Sequence, residues 1–71
     1  MIVKPYVGQK VKLSKRGYQS CHLESEEEFE QAKNLTITAV TQLGPDVYDI
    51  RVDQPLINMK MLCQAFIEER S

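Results

Sequence analysis

The segment from residue 35 to 52, LTITAVTQLGPDVYDIRV, constrains the fold more than any other part of this chain. Two runs rich in β-branched and aromatic residues flank the break Gly44-Pro45-Asp46. Such runs favour strands, and glycine, proline and aspartate between them favour a turn. We therefore predict a β-hairpin around which the remaining elements must pack.

Alternation within the two runs predicts which side chains face the core. The first strand covers residues 34 to 42 and the second ends at Gln54-Pro55, because proline cannot donate a hydrogen bond to a neighbouring strand. In each run apolar side chains recur at every second position, which is the period of a strand. The residues predicted to face the core are Leu35, Ile37, Ala39, Tyr48, Ile50 and Val52.

A strand and a helix are predicted before the hairpin. After the irregular segment Met1 to Val7, residues 9 to 15 alternate lysine with apolar residues, which indicates a strand with one solvent-exposed face. Ser25 followed three residues later by Glu28 is a capping box, so a short helix should begin there and stop at Asn34 in a left-handed conformation.

The residues between that strand and that helix are predicted to lack regular structure. The run KRGY at 15–18 has the chemistry of a turn, in which Gly17 can adopt a positive φ angle. Residues 18 to 23 are polar and aperiodic, which is typical of a loop.

The segment after Pro55 fits two interpretations. Apolar residues at 57, 59, 61 and 63 alternate as in a strand, whereas those at 59, 62, 63 and 66 have helical spacing. The first interpretation is a strand at 56–61, one helical turn at 62–64 and a closing strand at 65–68. The alternative is a single helix from 59 to 69. Ile57, Met59 and Met61 are expected to fill the core. The alternative is an adaptable binding surface, which could recruit a partner strand if this strand lies at a sheet edge.

Length and composition restrict the class of protein. With 71 residues we expect one domain, residues 1 to 71, with little room for a deep pocket. No run approaches the ~18 apolar residues of a membrane span. Two cysteines are too few for a dense disulfide framework, so we expect reduced thiols and a cytoplasmic location.

The net charge of −1 conceals two blocks of opposite sign. Every charged residue up to position 20 is basic, and glutamates dominate from 21 to 33. Because the blocks adjoin in sequence, they are expected to neutralise each other partly in the fold, which weakens an argument from a basic patch alone.

The predicted order is a strand, a long excursion with one helix, two hairpin strands, a further strand, a helical turn and a short strand. The residues that carry this order are VGQKVKL at 7–13, LTITAV at 35–40 and LCQAFIE at 62–68. In this order the chain resembles the Src-homology-three-like small barrels. The resemblance implies a mainly β (α+β) fold, a small five-stranded barrel with one short helix inserted between the first two strands.

The resemblance does not extend to proline-rich peptide recognition. The chain has no tryptophan and no pair of adjacent tyrosines, which supply the ligand-binding aromatics of such barrels. Barrels of this shape serve unrelated functions, so the fold does not give the function. In size the chain also resembles the small accessory proteins that bacteriophages encode.

The glutamate-rich helix is the first candidate site. Carboxylates in the first turn of a helix are favoured by its dipole, so an ordinary solvated surface is one interpretation. The other is a docking face that steers a basic partner protein, without enzymatic activity. The residues predicted to bind protein are Tyr18, Glu26, Glu27, Phe29 and Glu30.

The basic stretch is the alternative site. Lysines on one face of a strand, with an aromatic residue nearby, can contact a nucleic-acid backbone and stack on a base. Lysine on an exposed strand is also ordinary protection of a sheet edge. The residues predicted to bind nucleic acid in this alternative are Lys10, Lys12, Lys15, Arg16 and Tyr18.

Catalytic and metal chemistry have weak support in the sequence. Cys21, His22 and Cys63 are one ligand short of a closed zinc site, and two of them are adjacent. We predict that His22 is a loop residue and Cys63 a small core residue, and that the protein is not an enzyme. We expect no metal site and no cofactor.

Overall fold

Four antiparallel strands form one open sheet in the computed structural model, which describes residues 4 to 70. The strands are β1 (Lys10–Leu13), β2 (Leu35–Gly44), β3 (Val47–Val52) and β4 (Ile67–Glu69), in the order β3-β2-β1-β4. Two helices, α1 (Lys15–Cys21) and α2 (Glu26–Ala32), connect β1 to β2. The short helix α3 (Pro55–Asn58) and a 3-10 helix (Gln64–Phe66) connect β3 to β4.

One apolar core lies between the sheet and these helices. All four strands contribute to it, and both α1 and α2 place their last residue there. The buried apolar residues are Val11, Leu13, Cys21, Ala32, Leu35, Ile37, Ile50, Val52, Ile57, Leu62 and Ile67. The fold is therefore α+β, with the sheet supplying most of the core.

The predicted hairpin is confirmed. β2 and β3 pair antiparallel around a turn at Pro45-Asp46. In β3 the inward set is also confirmed: Ile50 and Val52 are buried, and Tyr48 is half-buried against the core.

A bulge in β2 corrects the predicted inward face of that strand. Ile37 pairs with Val52, but the next pair joins Ala39 to Arg51, so one extra residue lies between them in β2. An extra residue reverses the alternation beyond it. Ala39 is consequently exposed, contrary to prediction, and Val40 packs against the core instead.

Residues 15 to 23 do not form the predicted turn and loop. They contain α1, which begins after Ser14 and ends at His22, a residue in the left-handed region with φ of 51°. Two helices, not one, therefore lie between β1 and β2. β1 is correspondingly shorter than the predicted strand at 9–15. Residues 4 to 7 have the irregular structure expected of them, whereas residues 1 to 3 of that segment lie outside the described residues.

The helix predicted from the capping box is confirmed as α2. The Ser25 hydroxyl accepts a hydrogen bond from the Glu28 main-chain N–H at 3.1 Å. The predicted left-handed stop at Asn34 is wrong, because Lys33 closes the helix in the right-handed region and Asn34 has no positive φ.

The strand predicted at 56–61 is wrong, and so is the alternative helix at 59–69. Proline favours the first position of a helix, and α3 begins at Pro55. Beyond it, Leu62 forms a single bridge to Ile50. The helical turn and the closing strand exist but start two residues later than predicted, at Gln64 and Ile67. The described residues thus form an open four-stranded sheet, with no fifth strand.

The outer edge of β3 shows why no strand pairs along it. The main-chain N–H of Val52 donates to Asn58 Oδ1 at 2.9 Å, and that of Tyr48 donates to Gln64 Oε1 at 3.2 Å. Between them, the N–H of Ile50 donates to the Leu62 carbonyl at 3.1 Å. Two side chains and one bridge therefore occupy the hydrogen-bonding positions that a fifth strand would use.

Candidate functional site

Helix α1 is fixed to the 3-10 helix by Ser14. Its main-chain N–H donates to the Phe66 carbonyl at 2.9 Å, and its hydroxyl donates to the Ala65 carbonyl at 3.0 Å. The same hydroxyl accepts from the Gly17 N–H at 3.1 Å, which caps the helix. A buried serine thus determines where α1 begins and which face it turns to the core.

Gly17 permits close approach rather than a turn. A Cβ atom built on Gly17 would collide with the main-chain oxygen of Phe66 and would lie 3.1 Å from Leu13 Cδ2. The positive φ predicted for Gly17 is wrong; of the described glycines, Gly8 has one, at 91°. The sequence therefore needs glycine here because the 3-10 helix occupies the space of a side chain.

Tyr18 and Phe29 join the two helices. Their rings stack with centroids 5.9 Å apart and planes 17° apart. Tyr18 is half-buried, whereas Phe29 is 42% exposed. Both were predicted as protein-binding residues, and the structure brings them together. The stack fixes the position of each ring, so part of an apolar surface remains open to solvent in a defined place.

Three predicted glutamates lie on the exposed side of α2 and are called here the acidic surface: Glu26, Glu27 and Glu30. Glu30 forms an ion pair with Lys33 at 3.5 Å. Glu26 and Glu27 form none with any residue from 4 to 70. Ala32 is the one buried residue of α2, so most of the helix surface faces solvent.

Glu28 has a different role from its neighbours. Its carboxylate lies 3.2 Å from Lys60 Nζ, and the two side chains are 16% and 27% exposed. The hydrogen bond from Lys60 holds the pKa of Glu28 below its ordinary value. This pair connects α2 to the segment after α3, so Glu28 stabilises the position of the helix.

The predicted basic residues do not converge on one place. Lys12, Lys15 and Tyr18 line a groove of about 590 Å³, whereas Lys10 lines a separate depression beside Arg70. Arg16 is exposed and lines neither. Sequence reasoning missed Gln19, which adjoins Tyr18, and it missed Lys33 and Glu68, which come from distant parts of the chain. We call this groove the basic groove. Besides Leu13, the residues that line it are Lys12, Lys15, Tyr18, Gln19, Lys33 and Glu68.

An apolar surface lies near the β2–β3 turn, where sequence reasoning offered Met61 as an alternative binding residue but missed Leu43 and Val47. Met61 is 88% exposed and Leu43 is 66% exposed, and together with Val47 they border a hollow of about 210 Å³. The prediction that both methionines fill the core is wrong, since Met59 is also exposed. For Ile57 the predicted core position is confirmed, and α3 buries it there.

The cysteines do not belong to a cluster of metal ligands in the described part of the chain. Both are free; Cys21 is buried and Cys63 is half-buried. Burial raises the pKa of the Cys21 thiol, and the nearby charge of Lys60 opposes the rise. His22 caps α1 and is exposed. Among residues 4 to 70, no three side chains of His, Cys, Asp or Glu lie together as metal ligands would.

None of the helices formed by the described residues has the length and apolar character needed to cross a membrane. No protein-family model, curated protein or solved structure matches this chain.

Proposed function

We propose that this chain is a non-enzymatic interaction protein that binds another protein through α2 and the adjacent α1. The observation that carries the proposal is the stack of Tyr18 on Phe29, which holds a partly exposed ring beside the acidic surface. Aromatic residues at fixed positions are common anchors of interfaces, and neighbouring charges steer the encounter.

The burial pattern of α2 supports this proposal. A helix that served only to cover the core would turn an apolar stripe inward. α2 buries Ala32 alone and exposes Phe29 at 42%. Glu26 and Glu27 have no basic partner among residues 4 to 70, so their charges are available to a second molecule.

The proposal includes the Src-homology-three-like fold and a cytoplasmic location. A 3-10 helix immediately before the last strand supports the former, as does the bridge from Leu62 to Ile50, which lies where a fifth strand would pair. Two free cysteines agree with a reducing compartment.

Charge reversal tests the proposal. Glu26→Lys/Glu27→Lys alters two carboxylates that form no ion pair in the described chain, whereas Asp46→Lys/Glu69→Lys makes the same change of net charge elsewhere. Partners captured by the wild-type protein from host lysate should be lost by the first variant and kept by the second. The loss should be greatest at low salt, where exposed charges are least screened.

Equal capture by both variants at every salt concentration would contradict the proposal. Circular dichroism of both variants checks that each one is folded.

The alternative is nucleic-acid binding through Lys10, Lys12, Lys15, Arg16 and Tyr18. It is favoured by the convergence of Lys12, Lys15 and Tyr18 on one groove. Gel-shift assays at low salt with single- and double-stranded DNA and RNA test it, and a shift that salt abolishes would support it.

A further inference from the structure

The basic groove lies where β1, β4, α1 and the end of α2 meet. Its volume of about 590 Å³ is within the range of pockets that bind small molecules. Because its residues come from four parts of the chain, folding assembles a site that no sequence motif shows.

Positive charge exceeds negative charge in the groove. Lys12, Lys15 and Lys33 line it together with one carboxylate, that of Glu68. The Lys12 and Glu68 side chains are 3.7 Å apart and each nearly half exposed, so their pairing is weak and exchangeable. Lys15 forms no ion pair with any residue from 4 to 70. Lys15 is therefore available to pair with an acidic ligand. Lys12 and Lys33 would have to exchange their exposed ion pairs with Glu68 and Glu30.

The groove also has an apolar component. Tyr18 supplies it, over the buried side chain of Leu13. Tyr18 is held by its stack on Phe29, so its ring is already ordered before a ligand arrives. An ordered aromatic residue loses little conformational entropy on binding, which favours contact with an apolar side chain of the ligand.

The same charges disfavour a nucleic acid. The carboxylate of Glu68 lies within the groove, and Glu30 lies beside it through its ion pair with Lys33. A continuous phosphate backbone would be repelled at both points. Lys10, which would extend a basic track along β1, lines a different depression.

We propose that the basic groove binds a short peptide segment of the partner in which an apolar side chain is flanked by carboxylates. This inference rests on the proposed protein-binding function and specifies one part of that partner. The acidic surface adjoins the groove through the ion pair of Glu30 with Lys33, so the partner would present acidic and basic segments side by side. That arrangement would fix its orientation, since the reversed pose places like charges together.

Titration of the ¹⁵N-labelled protein with synthetic peptides, followed by NMR, tests the inference. A peptide of about eight residues extends ~27 Å, which is most of the 34 Å length of the molecule. The probe has a central phenylalanine between glutamates, and the controls replace the glutamates with glutamines or lysines. An oligothymidylate with the same net charge as the glutamate peptide tests whether the groove binds nucleic acid instead. The expected result is saturable shifts for groove residues with the glutamate peptide only.

A matched pair of variants locates the binding. Lys15→Glu/Lys33→Glu should lower the affinity for the glutamate peptide about tenfold, because two exposed charge contacts are lost and replaced by repulsion. Lys4→Glu/Arg51→Glu makes the same change of net charge at residues that do not line the groove and should leave peptide affinity within about twofold.

Three results would overturn the inference: no saturable shift with the glutamate peptide, equal weakening by both variants, or stronger binding of the oligothymidylate than of the peptide. The proposed function has its own readout, since Glu26→Lys/Glu27→Lys tests capture of the whole partner. If no peptide binds in the groove but that variant loses capture of the partner, the inference about the groove is rejected and the proposed protein-binding function stands.

Discussion

Replacement of Gly17 by alanine has two opposing effects on the free energy of unfolding, and the size of each is known. In the interior of a helix, alanine is more favourable than glycine by about 1 kcal/mol. Helix propensity alone therefore predicts that Gly17→Ala stabilises α1. In the folded protein, however, the new Cβ would occupy the position of the Phe66 main-chain oxygen and crowd Leu13. Forcing extra atoms into a packed site costs about 1–3 kcal/mol.

The upper part of that range applies at Gly17, because the obstacle is a main-chain atom rather than a flexible side chain. The Phe66 oxygen also accepts the hydrogen bond from the Ser14 N–H at 2.9 Å, so displacing it disturbs a bond worth about 1 kcal/mol. Set against the ~1 kcal/mol gain in propensity, the net loss is about 2–3 kcal/mol. For a domain of this size that lowers the melting temperature by roughly 10–20 °C.

Urea denaturation and thermal melts followed by circular dichroism measure the effect. Gly44→Ala is the matched control, because a Cβ there would meet only Val47 Cβ at 3.9 Å, an ordinary contact. The control should change the free energy of unfolding by no more than about 0.5 kcal/mol. A Gly17→Ala protein as stable as the wild type, or more stable, would refute the inferred close approach of α1 to the 3-10 helix.

Three further predictions concern the contacts that close the fold. Asn58→Ala leaves the Val52 N–H without its acceptor and should lower the free energy of unfolding by about 1–2 kcal/mol in urea titrations. Gln64→Ala removes one hydrogen bond to the β3 edge and one to the β2–β3 turn, so a loss of about 2–3 kcal/mol is expected by the same measurement. Lys60→Met removes the cation that lowers the pKa of Glu28. Because that pKa is lowered in the folded state, the stabilisation is present above the ordinary value of 4.5 and is lost as the pH falls below it. The melting temperatures of Lys60→Met and wild type should therefore converge in calorimetry at acidic pH; a gap that stays constant would contradict the role of the pair.

Local patterns predicted the elements whose causes are local. The period of two in β3 predicted its inward face because each side chain there follows from its own position in the strand. The capping box predicted α2 because Ser25 and Glu28 are three residues apart and interact within one helical turn. These signals need no knowledge of the rest of the chain.

The elements that were wrongly predicted depend on distant residues. Residues 15 to 21 offer one apolar pair at helical spacing, Tyr18 and Cys21, which is too little to indicate a helix, and Gly17 lowers the helix propensity further. α1 forms because Ser14 bonds to Ala65 and Phe66, about fifty positions away in the chain. The basic groove has the same origin, since Lys33 and Glu68 reach it only after the sheet is assembled. The bulge in β2 has no local signature in the sequence either.

Closure of the β3 edge also limits how this protein can recognise a partner. Strand addition is a common mode of recognition, but it requires free main-chain groups at a sheet edge. At β3 the N–H groups of Tyr48, Ile50 and Val52 already donate within the chain. A partner strand would have to displace three hydrogen bonds of about 1 kcal/mol each, which would weaken its binding by roughly a hundredfold. Recognition at this edge is therefore disfavoured, whereas the side chains of α1 and α2 can be contacted without breaking any part of the sheet.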